Sequence, residues 1–120
     1  MAKKLVDFDV VREIGLALPG VEESSLHGAP SLKVSGRLLT CPALHKSAEP
    51  NSLMVRVGFD QRAALLSADA KRYYITNHYV THPSVLVRLS EIDRQSLYDL
   101  LRTSWEFVTA RAKVRNRNAG

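Results

Sequence analysis

Apolar and polar residues alternate most cleanly between Ser52 and Val57. Leu53, Val55 and Val57 fall on one side, and Ser52, Met54 and Arg56 on the other. Period-two alternation marks a half-buried strand. Upstream, two apolar runs within Pro30 to Pro42 meet at Ser35-Gly36, which predicts a two-residue hairpin. Closed there, the hairpin sets Val34 against Arg37, Lys33 against Leu38, Leu32 against Leu39 and Ser31 against Thr40. Leu32, Val34, Leu39 and Cys41 then share the core face, while Ser31, Lys33, Leu38 and Thr40 share the outer face. A register slip of one residue would bury Lys33.

Helical spacing governs the two ends of the chain. Val10, Val11, Ile14, Ala17 and Leu18 predict a helix over 7–18, capped by Asp7 or Asp9 and stopped by Pro19. A weak strand at 21–27 is broken by Gly28, Ala29 and Pro30, and residues 43–51 form a polar loop. Asp60 is expected to cap a short helix through Ser67, with Leu65 and Leu66 buried and Phe59 packed beneath the cap. Tyr73-Tyr74-Ile75 and Val85 to Leu89 read as strands. Ser90-Glu91-Ile92-Asp93 has a capping-box pattern, and Leu97, Leu100, Leu101, Trp105 and Val108 form one helical stripe after it. The order is helix, four strands, helix, two strands, helix. That is a two-layer α+β domain, an antiparallel sheet of five to six strands with three helices on one face. It takes up residues 1–112, and 113–120 form a basic, frayed tail.

Composition narrows the function classes without choosing one. A length of 120 residues suits a single domain with its own core. Cys41 is alone, so no intrachain disulfide forms, and a reducing, cytoplasmic setting is the natural expectation. No apolar run approaches the roughly 18 residues of a membrane span, and Met1 to Lys4 lead into no signal-peptide core. A net charge of +5 permits nucleic acid or acidic partners.

The ordered motifs resemble those of the MmcQ/YjbR family of small bacterial proteins. The matching pieces are Ala17-Leu18-Pro19-Gly20-Val21-Glu22-Glu23, the hairpin Leu32 to Leu38, Phe59-Asp60, Tyr73-Tyr74-Ile75-Thr76-Asn77-His78-Tyr79, Val85 to Leu89 and the final helix with Trp105. Family members often carry a tryptophan before the last strand. Val80 to Ser84 stand there instead, as in a divergent branch. The resemblance implies a fold like that of type III secretion chaperones. It also implies a DNA-binding label that rests on a shape analogy and carries no catalytic residue.

The candidate chemistry is therefore basic rather than catalytic. Lys33, Arg56 and Arg88 are expected on the open sheet face, with Arg37, Lys71 and Arg72 at its margin and tyrosines nearby. Such a surface would meet the phosphate backbone of DNA or another nucleic acid. The stretch Arg111 to Arg117 is a second phosphate candidate. An apolar outer row of Leu38, Met54 and Leu86 would instead suit a protein partner, making the chain an adaptor. His78 and Tyr79 are candidates for a small pocket. His78 and His82 lie between strands, so their spacing does not make a metal site, and Cys41 reads as an inert core thiol. The expectation is a non-enzymatic monomer or weak dimer, without metal or cofactor.

Overall fold

A computed structural model describes the backbone of residues 6–119 and the side chains of residues 6–111. The elements are α1 (Phe8–Leu16), β1 (Val21–Leu26), β2 (Ala29–Val34), β3 (Arg37–Pro42), β4 (Ser52–Arg56), α2 (Phe59–Ala68), β5 (Tyr73–Tyr74), β6 (Ser84–Arg88), a 3-10 turn (Leu89–Glu91) and α3 (Arg94–Ala119). Six strands form one antiparallel sheet in the order β1-β2-β3-β4-β6-β5. The passage through α2 and β5 places β6 between β4 and the short edge strand β5.

Two tight hairpins start the sheet. Ser35 and Gly36 have φ of 53° and 73°, and His27 and Gly28 have 52° and 80°. Positive φ at both central positions is the turn whose twist matches paired strands. Strand β2 thus begins at Ala29, and Pro30 lies within it opposite Ser25 rather than breaking the chain.

The hairpin β2–β3 opens as the alternation predicts, with Val34 opposite Arg37 and Lys33 opposite Leu38. One step further the register shifts, and Leu32 pairs with Thr40 instead of Leu39. A β-bulge puts two residues of one strand against one of its neighbour. Leu39 and Thr40 both end fully buried. Thr40 pairs with Val55 on the helix-covered face, and its hydroxyl donates to the Met54 carbonyl at 2.7 Å. Cys41 pairs with Met54 and so turns to the opposite face from the one that unbroken alternation assigns it.

The main core lies between the sheet and the helices. Leu32, Val34, Leu39, Leu53, Val55, Val57, Val85 and Val87 meet Val11, Leu97, Leu100, Leu101 and Val108 there. Asp7 caps α1 by accepting from the Val10 amide. The cap of α3 is Asp93 and not Ser90, since Asp93 Oδ1 accepts from the Ser96 amide at 2.7 Å. Ser90 falls in the 3-10 turn that carries the chain from β6 to that cap. Helix α2 is the loosest element, with no fully buried residue. Its cap is Gly58, and Phe59 opens the helix 50% exposed rather than packed beneath it. The helix α3 continues through Ala119, so the backbone of the basic stretch is helical where fraying is expected. The side chains of Lys113, Arg115 and Arg117 lie outside the described residues.

Candidate nucleic-acid interface

The second sheet face is not open. Cys41, Ala43, Met54 and Leu86 are buried on it, with Leu26, Leu38, Ala48, Tyr74 and Tyr79 packed against them. The loop 43–51 and the segment 76–83 lie over this cluster. Met54 is 7% exposed and Leu86 fully buried, so the row proposed for a partner is covered by the chain itself.

A pair of histidine rings holds the cover. His45 and His78 stack with centroids 3.5 Å apart and planes 6° from parallel, and Tyr79 meets His78 edge-on. The Ser47 amide donates to His45 Nδ1 at 3.1 Å, so that nitrogen is an acceptor and the neutral ring carries its proton on Nε2. Ser47 Oγ then bonds Thr76 Oγ1 at 2.8 Å, tying loop to segment. The cavity beside the loop, of about 380 Å³, is lined by His45 and neighbouring loop residues and not by His78 or Tyr79.

Burial holds His45 below the ordinary imidazole value of 6.5, and the charges of His78 and Lys46 push the same way. As pH falls past that value the unfolded chain takes up the proton first, so stability is lost. Urea midpoints at about pH 7.5 and about pH 5.5 should therefore differ, and His45→Gln with His78→Gln should flatten the difference. An undiminished acid loss in the double variant would assign it elsewhere. Beneath the cover, burial raises the Cys41 thiol to about 11. Near pH 8 about one molecule in a thousand then carries the thiolate, and alkylation should be correspondingly slow.

The expected phosphate-binding residues separate into two groups. At one end of the sheet, Lys71, Arg72 and Arg88 are engaged with acidic partners. Arg88 grips Glu49 through both carboxylate oxygens at 2.9 and 2.7 Å, and donates to the carbonyls of Ala70 and Lys71. Its guanidinium also stands 4.4 Å from the centre of the Tyr74 ring. Glu49 is held below the ordinary carboxylate value by its bonds to Arg88. Arg72 reaches Asp69, Asp93 and the Glu91 carbonyl, and Lys71 lies 3.4 Å from Glu91. These cations fasten β6, the β5 approach and the α3 cap together.

At the other end stand Arg37 and Arg56. Arg37 follows the β2–β3 turn and Arg56 ends β4. Arg111 reaches the same end from α3. Its guanidinium is 5.5 Å from the Phe107 ring centre, and Phe107 lies against Gly58, two residues beyond Arg56. Among the described residues none of the three has a carboxylate within ion-pair distance. Burial disfavours the charge of Arg56, and Arg111 and Arg37 disfavour it further. Arg56 keeps one bond, from Nε to the Pro83 carbonyl at 3.2 Å. Lys33 is half-buried on β2 opposite Glu22, without an ion pair among the described residues. Phe59 and Phe107 join this end, although neither stands out as a functional residue in the sequence. Arg111 opens the basic stretch that the sequence offers as a second phosphate candidate.

Among the described residues there is no cluster of three or more metal-binding side chains, and no helix long and apolar enough to cross a membrane.

The fold has a solved counterpart. The crystal structure of Deinococcus radiodurans protein DR2400, with a DUF419 domain, superposes with a TM-score of 0.67 at 22% identity, covering 91% of this chain and 83% of that one. That likeness concerns the fold. A search of curated proteins returns no match. The YjbR family model matches residues 16–107, from the end of α1 to the ring of Phe107. By that match the chain belongs to the YjbR family.

Proposed function

We propose that this chain is a non-enzymatic module that binds nucleic acid through the phosphate backbone, using the sheet end that carries Arg37, Arg56 and Arg111. The gathering of three arginines without carboxylate partners supports this reading most directly. Like charges held together in a partly buried place disfavour one another, and a bound anion relieves that strain. Guanidinium groups suit phosphate because their donors form a planar fork. The net charge of +5 adds a long-range attraction of the same sign.

The contact is directed at the backbone. Arg37 and Arg56 sit on strands and Arg111 far along a long helix, so they form no short array for reading base edges in a groove. The reading needs no metal or cofactor and places the protein in the cytoplasm as a monomer or weak dimer.

Fluorescence anisotropy with labelled single- and double-stranded DNA tests it. A dissociation constant of about 10⁻⁵ M, rising steeply with salt, is the expected result. A flat signal at low salt overturns the reading.

A further inference from the structure

Next to the three arginines lies a cleft of about 590 Å³ lined by Gly58, Phe59, Asp60, Gln61, Glu106 and Phe107. Two aromatic rings stand in its wall. Phe59 is half-exposed at a helix start, with the Arg62 guanidinium 4.8 Å from its ring centre on one side. Phe107 rests against Gly58, with ring carbons 3.5 and 3.6 Å from the place a Cβ would take. The Gln61 side-chain oxygen already accepts from the Gly58 amide, at 3.0 Å. Among the described residues, the carboxylates of Asp60 and Glu106 have no hydrogen-bond or ion-pair partner.

The polarity of the cleft decides what enters it. Two carboxylates repel a phosphate, so the backbone stays at the arginines. A flat group with N–H donors on its edge is accommodated: its face stacks on a phenyl ring and its donors meet the carboxylates. An unpaired nucleobase has that form, and its own phosphates then fall beside Arg111 and Arg56. Paired bases are stacked on both faces and have their Watson–Crick edges engaged.

Resting on the nucleic-acid reading above, we propose that the cleft between Phe59 and Phe107 takes an unpaired base with an amino edge, so the protein prefers single strands to duplex. Adenine and cytosine carry an exocyclic amino donor, whereas thymine presents carbonyl oxygens on either side of its one N–H. Oligo-dA and oligo-dC therefore bind more tightly than oligo-dT of equal length.

The test compares labelled dA, dC and dT octamers and a duplex, using the full chain and its Phe59→Ala and Asp60→Asn variants. Phe59 is exposed, and circular dichroism verifies that both variants fold. Phe59→Ala should weaken dA and dC binding about tenfold and leave the duplex unchanged. Asp60→Asn should narrow the difference between dA and dT. Equal effects of Phe59→Ala on duplex and single strand, or none on either, overturn base capture while the backbone reading stands. Failure of every probe to bind at low salt overturns both.

Discussion

Leu101→Ala destabilises the protein by about 2–5 kcal/mol, because deleting a fully buried leucine leaves a cavity that its neighbours only partly close. Leu101 is fully buried where α3, α1 and β2 converge. The approach is close enough that α1 carries Gly15 there. A Cβ at Gly15 would stand 2.3 Å from Leu32 Cδ1 and 4.0 Å from Leu101 Cδ1. Leu32 is itself fully buried, so it has no free volume to retreat into. Against a total stability of about 5–15 kcal/mol, the loss is a large share. The urea midpoint should drop with an unchanged m-value. Leu65→Ala is the comparison. Leu65 lies on α2, whose residues are all at least partly exposed, and its loss should cost well under half as much. Equal costs would mean that α2 contributes to the core as fully as α3.

The same core explains which parts of the fold are legible in the sequence. The alternation of β4 is readable because both of its faces are distinct, with Leu53, Val55 and Val57 opposed to Ser52, Met54 and Arg56. The stripe of α3 is readable because Leu97, Leu100, Leu101 and Val108 all pack on one sheet. The bulge at Leu39 and Thr40 leaves no such mark. Leu38 and Leu39 are equally apolar and threonine suits either face, so residue type does not reveal an extra residue in the strand. Cys41 changes face as a consequence. The start of α3 carries two competent caps three residues apart, Ser90 and Asp93, and the exit of β6 decides between them.

The candidate site divides along a similar line. Sequence reveals where cations are, but not which of them meet carboxylates. Arg88 and Glu49 are 39 residues apart, and Lys71 and Glu91 are 20 apart; only the sheet order brings each pair together. Arg37, Arg56 and Arg111 are separated just as widely, and the same topology brings them to one end of the sheet. The position of Phe59 departs from its expected place for a local reason. Asp60 is a strong capping residue, but Gly58 takes the cap, and the helix starts two residues early with Phe59 half-exposed.

Replacing Arg37, Arg56 and Arg111 together by glutamine should remove most nucleic-acid binding. Each guanidinium that neutralises a phosphate releases condensed counterions, so the slope of log K against log salt should become shallower by about 2.7 for duplex. Extrapolated to about 50 mM salt, that corresponds to roughly a 10³-fold loss of affinity. Glutamine retains a donor and much of the side-chain length, so the bond that Arg56 makes to the Pro83 carbonyl has a replacement. Circular dichroism and the urea midpoint serve as the folding check. The contrasting set is Lys71, Arg72 and Arg88, carrying the same charge. Those cations are already neutralised by Glu91, Asp69, Asp93 and Glu49, and releasing them to meet a phosphate means breaking those pairs. Their replacement should lower stability, through the carbonyls of Ala70, Lys71 and Glu91 that lose donors, and leave the salt slope nearly as it was. Two sets of three charges thus separate net charge from place. If both flatten the slope alike, binding follows overall charge, and the sheet end of Arg37, Arg56 and Arg111 is no site.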